Sequence, residues 1–392
     1  MSSNWVGPVG VIVQGPVRAR RAKFQQCSES YVPFLDLCLE EVIALLTAKE
    51  IFDLVRDDLV LVEEELARQS AVAFAPVSEL TSYLLGGGGK RLRPALLLLC
   101  NGYAAGKRSP GAIRLAAVVE LLHSATLIHD DVIDASDTRR GRPSANSRWG
   151  NHRSVLAGDW LYMQSFQMAL EERNFRILDV LIDLTQKMVE GELLQLAKIG
   201  RIDVTEDEAL QLATYKTACL FSGCARLGAV LGGLEGAEEE ALAEYGRNAG
   251  LAFQLVDDLL DFTASAQTLG KPVLSDLKEG KVTLPLIYAM ENGHREAREL
   301  VARVLEEKEF NTVRPERIVS LVQDSGALDR TRSLAHEYAR RAKACLNGHV
   351  FANGAAANGG ACASEVKFTG GADSEYARAL ATLPDFVLER EN

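Results

Sequence analysis

Two apolar runs of this chain end in the same way. LLHSATLIHDDVID (residues 121–134) closes on Asp130, Asp131 and Asp134, and LAFQLVDDLLDF (251–262) closes on Asp257, Asp258 and Asp261. In each, the outer aspartates are four residues apart, so on a helix they share one face about 5.4 Å from each other. Like charges at that spacing repel, and burial penalises the ionised form further. A solvated acidic face does not explain them, because an exposed helix is not apolar on its other sides. Hard divalent cations resolve the conflict: Mg²⁺ takes one or two carboxylates per ion and completes its shell with phosphate oxygens and water. The chain is therefore constrained to a fold in which two greasy helices bring matching clusters to one polyphosphate.

The rest of the sequence is compatible only with helices. Apolar residues recur at helical spacing through 50–69, 112–134, 152–173, 176–200, 206–234 and 238–262, while alternating strand patterns are scarce. The expected fold class is all-α, a large helical bundle, with no linker between residues 50 and 345 to divide it. Residues 49–392 are expected to form a single domain and residues 1–48 an N-terminal extension. Residues 346–373, rich in Gly, Ala and Asn, are expected to be a flexible insertion, a long mobile loop between two C-terminal helices. The first 28 residues contain no Asp or Glu and carry Arg18, Arg20, Arg21 and Lys23, which suits a disordered leader or an organelle-targeting segment. The expected location is cytoplasmic, with organelle targeting the alternative. No apolar stretch reaches the roughly 20 residues needed to span a bilayer, so no transmembrane segment is expected. A net charge of −11 argues against nucleic acid as a partner. Seven scattered cysteines without a Cys-x-x-Cys read as free thiols.

Basic groups answer the aspartates. In LLGGGGKRLRP (84–94), glycine-rich backbone can approach an anion while Lys90, Arg91 and Arg93 supply charge. It is not a nucleotide P-loop: Arg91 stands where Ser or Thr is required, and Leu84 where Gly is. Arg139, Arg140 and Arg142 follow the first cluster in a short loop suited to bidentate phosphate recognition. Lys216, Lys271 and Lys281 are further candidates. Together they suggest two diphosphates, one bridged by metal to the aspartates and one held by cations directly. His123 lies seven residues before Asp130, on its helix face, which makes it a better ligand candidate than His129.

These motifs in this order, namely GGGGKRLRP, HDDVID followed by RRGRP, AGDWLY, YKT, FQLVDDLLDF, LGKP and SDLKEGK, resemble the trans-isoprenyl (polyprenyl) diphosphate synthase family. The resemblance runs from about residue 50 to 345 and resumes at EYARALATLPDFVLERE. It implies a bundle around a deep central cavity (the isoprenoid synthase type), usually a homodimer. It also implies a prenyltransferase that condenses isopentenyl diphosphate head-to-tail onto an allylic diphosphate such as farnesyl diphosphate. Carried over position by position, Asp130, Asp131, Asp134, Asp257, Asp258 and Asp261 would bind Mg²⁺, three ions with substrate present. With Lys216 and Lys271 they make up the catalytic set. Lys90, Arg93, His123 and Arg140 would hold isopentenyl diphosphate. Arg139, Lys216, Thr217, Gln254, Lys271 and Lys281 would contact the allylic substrate. The departures from the pattern are the 346–373 insertion and the N-terminal extension.

Product length depends on what the growing chain meets beyond the first cluster. Ala125 and Thr126 lie one turn before Asp130, with Leu121 and Leu122 a turn further back, and no Phe or Tyr occupies that face for three turns. Small residues there resemble the long-chain synthases that make octaprenyl to decaprenyl diphosphates, precursors of quinone side chains. Met163, Phe166 and Met168 could supply the floor instead. The alternatives are a medium-chain geranylgeranyl diphosphate synthase and a non-catalytic subunit of a heteromeric synthase. A long product would be detergent-like, so peripheral membrane contact during release is an expected partner interaction.

Overall fold

Helix α5, Ala112–Ile133, is the axis around which the other helices pack. From Leu115 to Leu122 every side chain is almost completely buried, so this helix needs neighbours on all sides. The computed structural model supplies them in α2 (Arg56–Val72), α4 (Leu92–Ala105), α7 (Asn151–Leu170) and α10 (Cys219–Leu231). It describes residues 46–391 except 73–74, 87–88, 140, 264–272, 292–294, 348, 352–361 and 366–373. By length and composition alone α5 is apolar enough to cross a membrane, as a buried core helix can be. Its polar interruptions, such as Glu120 and His123, do not outweigh the surrounding Leu, Val and Ala; most of it is buried inside the bundle.

The body begins where the local sequence begins a helix. Thr47 caps α1 (Ala48–Asp53) and exchanges hydrogen bonds with Glu50 in a capping box. After α2 come α3 (Ala75–Leu85), α4 and α5, then a hairpin in which Thr138–Arg139 pairs with Arg142–Pro143. The short α6 (Ala145–Trp149) leads into α7, and α8 (Phe175–Lys198) and α9 (Glu206–Ala213) follow. A π-helical turn, Thr214–Ala218, joins α9 to α10. The long α11 (Gly236–Thr263) packs against α10 along a glycine seam. A Cβ added to Gly250 would meet Ala218 Cα at 2.7 Å. Five more helices, α12 (Ser275–Lys278), α13 (Leu284–Glu291), α14 (Arg295–Glu307), α15 (Pro315–Asp324) and α16 (Ala327–Leu346), close the other side of α11. Helix α17 (Glu375–Leu388) and the 3₁₀ turn Glu389–Glu391 end the chain.

The all-α expectation holds. Residues 44–392 form one compact unit; of the N-terminal extension expected over 1–48, residues 1–45 lie outside the described residues. Within the 346–373 insertion the structure is not wholly loop. His349–Phe351 pairs antiparallel with Cys362–Glu365, with a register shift after Val350. Arms this short carry too little alternation to be read from sequence.

Candidate active site

The two aspartate clusters sit where two apolar helices reach a common cavity. Asp130 and Asp257 both line a cavity of about 530 Å³ bounded by α5, α7, α8, the π turn and α11. A second space of about 190 Å³ adjoins it, sharing Lys216, Thr217 and Gln254 and adding Asp258, Asp276 and Lys281. A third, of about 310 Å³, shares Arg93 and His123 and adds Lys90. Asp130, Asp257, Asp258, Lys90, Arg93, His123, Lys216, Thr217, Gln254 and Lys281 thus line three spaces that share residues, whereas Asp131, Asp134, Asp261 and Arg139 line none of the three.

Backbone geometry delivers Lys216 and Thr217. The π turn carries one extra residue per turn, which rotates these side chains inward; such turns recur at functional sites. Helix α8 can approach only because residue 191 is Gly, where a Cβ would stand 2.9 Å from the Lys216 amide nitrogen.

Each member of the first cluster is met by a cation. Asp131, 1 % exposed, accepts two hydrogen bonds from Arg139 Nε at 2.8 and 2.9 Å, and Arg139 Nη2 lies 2.8 Å from its Oδ1. Asp134 accepts from Lys281 Nζ at 3.0 Å. Asp130 lies 3.9 Å from Lys216 Nζ, which is shared with Glu192 at 2.7 Å and Gln195 at 3.1 Å. Burial pushes Asp130 up to about 6; Lys216 and Arg139 oppose the shift while Glu192 and Asp134 add to it. Burial also raises Asp131, against the pull of Arg139. Burial alone would lower the Lys281 pKa, yet Asp134 and Glu279 hold it above the usual lysine range.

The second cluster is kept differently. Asp257 pairs with Arg390 Nη2 at 3.0 Å. Asp258 accepts from Gln254 Nε2 at 2.9 Å, and Gln254 Oε1 accepts from the Thr217 hydroxyl at 2.6 Å. Asp261, 2 % exposed, accepts from the Ser275 amide at 3.2 Å, the Ser275 hydroxyl at 3.0 Å and the Asp276 amide at 3.4 Å. Its carboxylate ties the following turn to α11 and lines neither cavity that holds Asp257 and Asp258. Burial raises Asp257 and Asp258, with Arg390 opposing at the first and Gln254 at the second.

Toward α4, Lys90 lies 5.9 Å from the Phe386 ring centre. Arg93 stacks on Phe221 at 5.2 Å and on Phe253 at 6.0 Å, and its Nη1 is 3.2 Å from His123 Nε2. Desolvation pushes the Arg93 pKa down. Arg91 plays a different part. Held at φ +47, it ion-pairs with Glu63 and with Glu120 (2.6 Å), anchoring the start of α4 to α2 and α5. Arg140 and Lys271 lie outside the described residues.

Of the chain-length candidates, only Thr126 lines the main cavity; Ala125 and Leu122 are fully buried in the core. The reason is helical phase: the row His123, Thr126, Leu127 and Asp130 faces the cavity, and residues to its side turn into the packing. The proposed floor also differs. Met163 is 64 % exposed and Met168 is buried in the core, while Tyr162 lines the cavity. Sequence reasoning also missed Glu192, Gln195 and Asp276. The only signal for Asp276 was its place in SDLKEGK, and α8 offered none for Glu192.

The donor set fits a hard divalent cation: carboxylate oxygens from two helices reach one connected site. Among the described residues no three acidic, His or Cys side chains form a closed cage.

Comparison with known proteins agrees with this geometry. The family profile "Polyprenyl synthetase" matches residues 75–322. Octaprenyl diphosphate synthase of Escherichia coli (strain K12) is 38 % identical over 298 residues, covering 76 % of this chain and 92 % of that protein. Geranylgeranyl diphosphate synthase of Methanosarcina mazei is also 38 % identical, over 270 residues, covering 68 % of this chain and 81 % of that one. A polyprenyl synthase of Caulobacter crescentus CB15, solved with calcium and isoprenyl diphosphate, superposes with TM-score 0.77 at 34 % identity. That match covers 88 % of this chain and 98 % of the other.

Proposed function

This chain belongs to the polyprenyl synthetase family and is a trans-prenyltransferase acting on isoprenoid diphosphates, and from that premise we propose that it uses Mg²⁺ to build a long-chain all-trans product. The observation that carries the site reading is the meeting of Asp130 and Asp257 in one largely apolar cavity that Arg93 and Lys216 also line. Asp130, Asp131, Asp134, Asp257 and Asp258 would hold the metal, three ions with substrate bound. Asp261 acts as their brace. Bound Mg²⁺ supplies the charge that lets the diphosphate leave.

The chain's own residues do the rest. Arg139, Lys216 and Lys281 hold the allylic diphosphate, and Thr217 and Gln254 set the position of Asp258. Lys271, by resemblance, joins the first group. Lys90, Arg93 and His123, with Arg140, hold isopentenyl diphosphate so that its double bond faces the allylic carbon. The allylic C–O bond breaks with its electron pair leaving on the diphosphate, the double bond supplies the pair for the new C–C bond, and the proton then lost passes to the departed diphosphate. Leu127, Ile133, Val155, Met188, Val189 and Leu220 wall the cavity and exclude water from the cation.

Long-chain specificity is supported by the cavity face of α5, where Thr126 and Leu127 stand and no Phe, Tyr or Trp does. Identity does not choose between product classes, since an octaprenyl and a geranylgeranyl synthase are equally similar. Tyr162 supports the medium-chain alternative, as the aromatic on α7 that lines the same space. The test is product sizing with farnesyl diphosphate, isopentenyl diphosphate and Mg²⁺. Products of eight or more isoprene units are expected, shortened by Thr126→Phe. Products of four units in the wild type, lengthened by Tyr162→Ala, would establish the medium-chain reading instead.

A homodimer is supported by an exposed apolar stripe. Leu156, Met163 and Leu170 on α7, and Phe175, Ile182, Val189 and Leu196 on α8, recur every seven residues and are 44–80 % exposed. Sedimentation of the purified protein tests this; Leu156→Glu with Ile182→Glu is expected to give monomers.

A further inference from the structure

The segment that follows the first aspartate cluster carries a basic surface that the site does not use. Residues 138–158 contain no Asp or Glu, yet hold five arginines and His152 in a chain of net charge −11. Arg139 pairs with Asp131, whereas Arg142, Arg148, His152 and Arg153 are exposed. Tyr83 on α3 and Trp149 on α6 meet edge-on with ring centres 5.0 Å apart, and the Tyr83 hydroxyl donates to Pro143 O at 2.8 Å. The guanidinium of Arg142 stands 4.2 Å from the Tyr83 ring centre. That of Arg148 stands 4.8 Å from the same ring and 4.6 Å from Trp149. Two like charges thus share one ring, and neither pairs with a carboxylate among the described residues. Asp137, on the same hairpin, accepts from the Ser147 hydroxyl at 3.3 Å instead. Stacking holds the two cations in place without neutralising them, and neither lines the three spaces of the site. One turn after His152 on α7, Val155 is 39 % exposed and lines the main cavity, as does Ile133 at 43 %.

We propose that Tyr83, Arg142, Arg148 and Trp149, extended by His152 and Arg153, dock the enzyme on a bilayer surface of anionic phospholipid. Guanidinium groups pair with headgroup phosphates, and Tyr and Trp suit the level where headgroups meet acyl chains. Charge complementarity chooses this occupant: a basic face without acids is drawn to a negative surface that repels the rest of an acidic chain. The exposed apolar side chains of Ile133 and Val155 continue the face toward the cavity. The proposal rests on the long-chain reading, because an amphipathic polyprenyl diphosphate leaves an apolar cavity more favourably into lipid than into water.

Co-sedimentation of the full chain with vesicles of phosphatidylcholine, with and without phosphatidylglycerol, tests this. The wild type is expected to bind only the anionic vesicles and to be released by high salt. Arg142→Gln with Arg148→Gln should weaken partitioning about thirtyfold, about fivefold for each arginine, and the corresponding pair of Lys substitutions should recover much of it. Arg303→Gln, an exposed cation on α14 outside the patch, should bind as the wild type does. Equal binding to both kinds of vesicle, no binding to either, or an equal loss in Arg303→Gln would overturn the proposal. Release by inorganic phosphate at constant ionic strength would make the arginine pair a small-anion site. A double variant that no longer dimerises would give this face to a second copy of the chain. Either result also overturns the lipid assignment. Binding is measured without substrates, so its failure leaves the product-length reading intact, and product sizing tests that reading separately. Thermal melts of each variant separate lost binding from misfolding.

Discussion

The two aspartate clusters have nearly the same sequence and opposite upkeep. At the end of α5, all three carboxylates are met by cations: Arg139, Lys281 and Lys216. At the end of α11, Asp257 pairs with Arg390, Asp258 accepts from the Gln254 amide, and Asp261 accepts from a hydroxyl and two backbone amides. In the proposed reading, the first cluster would exchange its cations for metal and diphosphate. The second is partly committed to holding the fold. A repeated motif thus need not mean a repeated role for every member.

The largest effect expected from this contrast is on turnover. Asp130→Asn should lower kcat/KM by about a hundredfold or more, raise the Mg²⁺ needed for half activity and leave the melting temperature unlowered. An unfolding Asp130→Asn protein would mean the first cluster is structural after all. Asp261→Ala should do the reverse first. It strands three donors around Ser275 and Asp276, at a cost of about 3 kcal/mol, visible as a lower urea midpoint. An unchanged midpoint with lost activity would return Asp261 to the metal set.

Next in size is Arg139→Gln, which leaves Asp131 buried without its charged partner. Because Arg139 is itself about one-third exposed, the expected destabilisation is only about 2 kcal/mol. Added Mg²⁺ should restore part of it in a thermal melt, and no rescue would argue that Asp131 never meets metal.

The smallest effect calibrates the rest with a carboxylate outside the site. The Lys198 ammonium, then the Thr205 amide, hold Glu208 down at about 2. Its folded pKa lies below the unfolded value, so its contribution is complete above about 4.5 and disappears as pH falls toward 2. Glu208→Gln keeps the capping geometry and should lower the melting temperature slightly at pH 7, with the difference shrinking below pH 4.5. A difference that persists at pH 3 undiminished would assign the effect to packing.

Much of this was legible from local pattern. The i, i+4 aspartates, the apolar helices that carry them and the cationic loops are short-range features, and helical periodicity needs no tertiary information. His123 was singled out by spacing from Asp130 and does lie beside Arg93. Ala125 and Leu122 were misplaced because spacing gives a row of residues, whereas about 40° of helical rotation decides which row meets the cavity. Glu192 left no signal and Arg390 only its place in EYARALATLPDFVLERE, since each owes its position to a partner elsewhere in the chain: Lys216 across α8 and the π turn, Asp257 across the C-terminus.

By itself, then, the sequence determined that this chain is an all-α bundle with two carboxylate clusters that need cations. That follows because helix periodicity and like-charge repulsion act over a turn or two. Only the tertiary structure placed Asp130 and Asp257 on one cavity and tied Asp261 to the turn at Ser275 and Asp276. It also brought Arg390 to Asp257, because hydrogen-bond partners and burial are set by segments more than a hundred residues apart. The π turn that aims Lys216 inward belongs to the same class: it depends on α8 packing close at Gly191, which no local pattern around Lys216 records.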